Sequence, residues 1–310
     1  MKKYIINRIL ILIPTVLAVS FLVFALMELT PGDPAGIILG ASATPEDIAK
    51  LNQELGYDRP FLIRYFDWLY NLVVRFDFGK SYTTRQPVMI DIAKRTPISM
   101  TLALLGVIGA TCVGVPLGVL SAVKQNKLIG QLPSVICLIL AAFPSFWIGM
   151  LLLYYFALKL GWFPTFGVDT MAGYFLPTIS LTLVYAAGQM RHTRSAMLET
   201  IRQDYVRTAR AKGATESVAI WKHALRNALL PTVTIIGSNF GLLVGSAIVN
   251  ESLFSIPGLG TYSITAINNR DIPALMAAVV VLAAIYCACL LAVDLLYALI
   301  DPRVKARYSK

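Results

Sequence analysis

The feature that most limits what this chain can fold into is a set of six long apolar stretches, at residues 9–29, 98–123, 132–158, 174–190, 229–250 and 273–300. Each approaches the roughly 20 mostly apolar residues that carry a helix across the hydrocarbon of a bilayer. In lipid every backbone polar group has to be satisfied within the protein, so runs of this length are expected as helices. The overall balance agrees, with 57% hydrophobic and 14% charged residues, against roughly 45–50% and 25% in soluble domains. The expected fold is an all-α membrane protein with six transmembrane helices. Lys2, Lys3 and Arg8 ahead of the first run resemble a secretory leader. That run is about twice the length of a leader's apolar core and no A-x-A-like site follows, so an uncleaved first span is expected.

The formal charge of +10 raises nucleic acid as a partner, but its distribution points to a bilayer. Lys2, Lys3 and Arg8 precede the first run, and Lys124 and Lys127 follow the second. Arg191, Arg194, Arg202, Arg207, Arg210, Lys212, Lys222 and Arg226 follow the fourth, while Arg303, Lys305, Arg307 and Lys310 close the chain. These hold 17 of the 27 basic residues, and such segments stay on the cytoplasmic side. Both termini are therefore expected inside. The remaining short loops contain only Lys159 and Arg270. Cys112, Cys137, Cys287 and Cys289 all fall within apolar runs; without metal-ligand spacing they read as small hydrophobes.

The outer segment at 30–95 balances eight basic against eight acidic residues, and long loops translocate with little regard to charge. It is too long for a structureless connector. Thr44 as N-cap, Pro45 at the first helical position, Asp47 two further on and Gly56 as terminator predict a short helix with an Ile48, Leu51, Leu55 stripe. A second helix over 61–76 places Leu62, Tyr65, Phe66, Leu69, Leu72, Val73 and Phe76 on one broad face. Its aromatics suit a membrane interface. Packing over the outer ends of the spans and docking of an external partner are the two readings of these faces.

Gly79-Lys80-Ser81 has the tail of a phosphate-binding loop, but the position where the first glycine belongs is Val74, so no ATP site is expected. His192 and His223 are the only histidines and both lie in the basic segment after the fourth run. No nucleophilic triad or carboxylate pair presents itself, and no catalysis, bound cofactor or metal is expected in this chain.

That basic segment is the informative one. It reads Gln203-Asp204-Tyr205-Val206-Arg207-Thr208-Ala209-Arg210-Ala211-Lys212-Gly213-Ala214, then His223-Ala224-Leu225-Arg226-Asn227-Ala228-Leu229-Leu230-Pro231. It resembles the EAA loop of bacterial ABC importer permeases, in the variant of the oligopeptide, dipeptide and nickel permeases. Arg207-Thr208-Ala209 stands where the general form has Glu-Ala-Ala, Gly213 matches its glycine and Leu230-Pro231 its terminal Leu-Pro. Arg207 departs from the glutamate, and the stretch from Gly213 to Pro231 is longer than in the general form, which favours the peptide-type branch. The resemblance extends to Thr30-Pro31-Gly32-Asp33-Pro34, Asp77-Phe78-Gly79, Gly161-Trp162-Phe163-Pro164, Phe254-Ser255-Ile256-Pro257-Gly258-Leu259-Gly260 and Asp301-Pro302-Arg303.

The resemblance implies a type I ABC importer permease fold in the bacterial cytoplasmic membrane. It divides the chain into 1–95, the first span with its outer segment, 96–301, the transporter core with a coupling loop at 191–231, and 302–310, a cytoplasmic tail. It also implies four partners besides lipid: a second permease, two ATPases that bind ATP and Mg, and an external solute-binding protein. The implied cargo is di- or oligopeptides, with nickel, nickel chelates or glutathione as the alternative. Small residues at Ala209, Ala211, Gly213 and Ala214 would admit a partner's groove, with Tyr205, Arg207, Thr208, Arg210 and Lys212 around them. The alternative is a charged inner loop that only sets topology. A self-sufficient channel or ion-coupled carrier is a rival class and would show mid-membrane charge and repeated halves.

Gly237, Gly241 and Gly245 recur at four-residue spacing and Gly114 with Gly118 repeats it, which lets helix backbones approach closely within this chain or against a second one. Pro116, Pro144 and Pro177 interrupt apolar runs and can bend them. Glu28, Glu251 and Asp294 are the acids of the membrane region, and Asn239 lies near the middle of the fifth run. Asn239, Glu251 and Asp294 are candidates for a transport pathway, with pairing to neighbouring groups as the other reading.

Overall fold

The structure, a computed structural model, describes residues 2–29, 34–40 and 43–300. Thr30-Pro31-Gly32-Asp33, Asp301-Pro302-Arg303 and the tail 302–310 lie outside the described residues, as do the side chains of Leu230, Pro231 and Asp294. Among the described residues the chain is helical, with one isolated bridge between Lys80 and Pro87. The order is α1 (Lys2–Leu29), α2 (Pro34–Leu39), α3 (Pro45–Glu54), α4 (Phe61–Arg75), α5 (Val88–Val123), α6 (Leu128–Ala141), α7 (Ser145–Leu152), α8 (Phe175–Ile201), α9 (Asp204–Ala211), α10 (Glu216–Val218), α11 (Leu225–Leu253), α12 (Leu259–Asn268) and α13 (Ile272–Ile300). Wider π-type turns, Leu153–Lys159 and Ala219–Ala224, continue α7 and lead into α11.

Among the described residues, four stretches are long and apolar enough to cross a membrane: Leu10–Leu29, Val88–Val123, Met171–Ile201 and Ile272–Val293. Residues 132–158, expected as one span that Pro144 can bend, form two helices bent by 96°, and count as a fifth crossing only if taken together. The cause is local. Pro144 disfavours helical geometry at Phe143 and itself takes φ −64° and ψ 146° at the start of α7. The fifth expected run lies in a helix of 29 residues, about 44 Å long at 1.5 Å per residue.

The second run begins earlier than its apolar signal. Helix α5 continues through Pro97, so the expected boundary at residue 95 falls inside it. Polar residues such as Asp91, Lys94 and Arg95 are tolerated there because this first part of α5 packs beside α12; Tyr262 donates to Asp91 at 3.4 Å and stacks under the Arg95 guanidinium. At its other end α8 runs eleven residues past Met190, carrying the span into the basic segment.

Packing in the membrane cannot draw on the hydrophobic effect, since lipid is as apolar as leucine; close approach and van der Waals contact replace it. The α5–α8 pair shows this. A Cβ at Gly114 would sit 2.9 Å from the Ala186 carbonyl oxygen, and one at Gly118 would sit 2.8 Å from that of Met190. Leu102, Leu181 and Leu243 from α5, α8 and α11 are fully buried in the central cluster.

The segment between α1 and α5 holds the helices its caps predict. Thr44 and Asp47 form a reciprocal capping box at α3, and Gly56 takes φ +76° after it. Two buried acids fasten this side. The Asp271 carboxylate accepts from the Ser81 hydroxyl, the Thr83 amide at 3.1 Å and the Ala274 amide at 3.2 Å, tying the segment between α1 and α5 to the start of α13. Glu251 is the second.

Candidate functional site

Helix α9 and the turn after it form the surface that the basic segment builds. Gly213 has φ +84°, a conformation open to glycine at little cost. It donates its amide to the Arg210 carbonyl at 2.9 Å, and Ala214 donates to Ala209 at 3.1 Å, the paired bonds of a Schellman termination. The chain then reverses. Thr215 caps α10 through its hydroxyl, and Glu216 meets Arg210 in a two-toothed ion pair, Nε to Oε2 at 2.9 Å and Nη2 to Oε1 at 2.8 Å. The Arg210 hydrogen bonds hold the Glu216 carboxyl below the usual carboxylate range and raise Arg210 in turn.

One side of α9 is docked and the other is open. Val206 is fully buried in a cluster with Val115 and Val119 of α5, Met197 of α8, Ala219 and Ile220 of the π-type turn, and Leu225 of α11. Ala209, expected as part of a partner-facing surface, is 8% exposed and turns inward; its small side chain admits the approach of its own subunit. Tyr205, Arg207, Thr208, Ala211, Lys212 and Gly213 are exposed and Ala214 is half-buried. Val218 and Trp221 extend this open surface past the turn. A Cβ at Gly213 meets nothing within 4 Å.

The glycine repeats divide. Gly114 and Gly118 face α8, while a Cβ at Gly237 or Gly241 would run into Val293 or Tyr286 of α13. Gly245 has open space and is exposed, on a strip with Leu242 and Val249, which are 53% and 48% exposed.

The pathway candidates divide likewise. Glu251 is 1% exposed and its carboxylate accepts from the Ser99 hydroxyl at 2.6 Å, the Gly260 amide at 2.7 Å and the Thr261 amide at 3.3 Å. Ser99 in turn accepts from the Leu259 amide at 2.8 Å. These bonds wrap the 254–260 stretch around the end of α11, and a Cβ at Gly258 or Gly260 would collide with the Glu251 carboxylate. Glu251 therefore stands as the pin of the corner between α11 and α12. Asn239 is half-buried on α11, and the Asp294 side chain lies outside the described residues. Sequence reasoning missed Glu216, Val206, Ser99 and the fully buried Asn250, which bridges Ser145 at 3.0 Å and Ser180 at 3.3 Å. Among these, only the acid Glu216 carried a signal in the sequence.

The chain also has counterparts among known proteins. Residues 114–306 match the family described as binding-protein-dependent transport system inner membrane component, and residues 1–103 match its N-terminal membrane component. The chain belongs to that family. It is an inner-membrane permease of ABC importers, of the peptide, glutathione and nickel group, in a family whose permease subunits are non-catalytic. The glutathione transport system permease protein GsiC of Salmonella typhimurium is 39% identical over 98% of this chain and 99% of that protein; the Escherichia coli K12 protein is 38% identical over the same shares. The MetNI methionine ABC transporter in an inward-facing conformation superposes with TM-score 0.59 at 18% identity, over 69% of this chain and 97% of that one. An amino acid ABC transporter solved with histidines gives 0.52 at 18% identity, over 69% and 94%. These two show the shared fold of the core.

Proposed function

We propose that this permease moves peptide-class cargo inward by alternating access, driven by ATPases that grip α9. The observation that carries the reading is the two-sided placement of α9: its open side offers Tyr205, Thr208 and Lys212, and its closed side is rooted through Val206 in the inner ends of α5, α8 and α11. Force applied to such a helix reaches three spans as one body. Taking a two-state gate from 1:99 to 99:1 requires about 5.5 kcal/mol of differential binding, so a coupling element has to be stiff, and the Arg210–Glu216 pair with the Gly213 termination supplies that stiffness.

In this reading the chain crosses the membrane six times with both termini cytoplasmic, α6 and α7 together making the third crossing. It works beside a second permease and two ATPases, which bind ATP and Mg while this chain binds neither. An external solute-binding protein delivers cargo. The GsiC relatives favour glutathione among the cargoes, and glutathione is itself a tripeptide, so the two readings share a chemical class. Nickel and nickel chelates are the alternative.

The test is uptake into proteoliposomes holding this chain with its co-purified partners, using labelled dipeptides, oligopeptides, glutathione and nickel in turn. ATP-dependent entry of a peptide or glutathione supports the proposal, while entry of nickel alone moves the cargo to the alternative. Uptake by this chain without any ATPase would overturn it in favour of an autonomous carrier. Gly213→Arg is expected to leave ATP hydrolysis running while uptake falls; unchanged uptake would remove α9 as the coupling element.

A further inference from the structure

The expected single apolar face of α4 is in fact divided. At about 100° per residue, Phe61, Tyr65, Trp68, Leu69 and Leu72 share one sector, Leu62, Ile63, Phe66, Tyr70, Val73 and Val74 a second, and Arg64, Asp67, Asn71 and Arg75 a third. The first sector is docked. Tyr65 is 4% exposed and bonds to the Ser20 hydroxyl at 2.9 Å, and its ring meets Phe21 and Phe24 of α1 at centroid distances of 5.1 and 5.5 Å. The second sector is open, with exposures from 49% at Ile63 to 61% at Val73.

Two spans fix the level at which α4 lies. Phe24 and Tyr65 share a cluster with Ile272 and Met276, the first two turns of α13, so α4 crosses α1 beside the outer end of another span. The polar sector fixes its roll. Arg64, its side chain 11% exposed, pairs with Glu28, one turn further out along α1 than Phe24. Arg59, Arg64, Asp67 and Asn71 also line an outer cleft of about 430 Å³. The polar sector thus faces outward, and the open apolar sector, roughly opposite Arg64, faces the bilayer. Leu22 and Leu26, 57% and 55% exposed, continue an apolar surface on α1, a helix whose spanning window is only 17% buried.

The geometry points to α4 as an interfacial helix seated in the outer leaflet, with lipid acyl chains covering Leu62, Phe66, Tyr70, Val73 and Val74. A helix with one strongly polar sector and a bulky apolar one lies in the plane of the interface with the apolar side sunk below the headgroups. The inference rests on the membrane location of the chain and stands apart from its cargo. Held by lipid on one side and by Tyr65 and Arg64 on the other, α4 fixes the height of the first span and of the outer cleft.

The test places the photo-crosslinker p-benzoylphenylalanine at Phe66, Tyr70 or Val73 in the full chain, in native membranes with its partners present, and identifies the adducts by mass spectrometry. Phe66 and Tyr70 are aromatic already, so the probe fits without repacking. Phospholipid adducts at these three positions, several-fold above those at Asp67 and Asn71, are the expected result. Adducts to a polypeptide at Phe66 and Val73 would overturn the inference in favour of a protein partner. Absence of adducts in both sectors would overturn it in favour of a water-exposed helix.

Discussion

Two short amphipathic helices sit at opposite ends of this molecule, and each is rooted by a buried side: Val206 with Ala209 for α9 and Tyr65 for α4. Their open sides differ. Helix α9 shows Tyr205, Arg207, Thr208 and Lys212, a polar surface with one aromatic, whereas α4 shows Leu62, Phe66, Tyr70 and Val73. A polar open side can be wet in one state and gripped in another, which suits a helix that cycles on and off a protein partner. An apolar open side of this size is rare on soluble surfaces and suits permanent contact with lipid. Amphipathicity alone predicts docking for both; the chemistry of the second face separates a handle from an anchor.

The same substitution on the two helices should break this comparison most sharply. Val206→Asp buries a charge without a partner, at a cost of several kcal/mol, and should abolish assembly with ATPases, read by co-purification. Val73→Asp on α4 should cost about 0–1 kcal/mol, as charges near a membrane interface do, and only in a bilayer. Equal loss of folded protein from both would mean that α4 is packed against protein as tightly as α9. Next in size is Arg64→Gln. It leaves Glu28 without its cation beside a mostly buried site, and losing one partner of a fully buried pair costs about 3–5 kcal/mol. Because Glu28 is 39% exposed and can rehydrate, about 1–3 kcal/mol is expected, read as earlier thermal unfolding and faster tryptic cleavage at Arg59 and Arg75. Gly213→Ala follows. Its Cβ has room, so only the left-handed backbone is strained, by about 1–2 kcal/mol; transport per ATP should fall several-fold with assembly intact.

Much of this is legible in the sequence, and what is not has a common cause. The apolar runs and the α3 cap are local signals, and the structure carries them as helix except at the break around Pro144 in the third run. Gly213 is legible as a terminator because a positive φ at a helix end is a one-residue requirement. The broad face of α4 is legible only as apolar, since lipid and protein select the same side chains; the split into docked and open sectors emerges once α1 is in place. Pro144 announces a break in the third run, yet a 96° bend depends on where α6 and α7 find their neighbours. Glu251 stands out as an acid at the end of a span, but its partner Ser99 is 152 residues away, beyond any local pattern. Ala209 reads as partner-facing because small residues serve equally for packing outward and inward.

The smallest effect discriminates best between a stiff handle and a merely charged loop. Glu216→Gln keeps the shape of the side chain and removes the charge that grips Arg210. The pair is largely exposed, with side-chain exposures of 35% and 62%, so its loss should cost only about 0.2–1 kcal/mol and leave expression and assembly unchanged. If α9 transmits force, that small softening should still lower transport per ATP measurably, while Arg207→Gln, which removes charge without touching the turn, should not. The pH dependence has a defined sign. Glu216 is depressed in the folded state, so its contribution is fully present above the ordinary carboxylate value of about 4.3 and fades only as pH falls through the lower folded value. Coupling by the native chain should therefore be flat between about pH 6 and 8 as far as this pair is concerned. A coupling defect of equal size in Arg207→Gln and Glu216→Gln would instead assign the role of this loop to its charge.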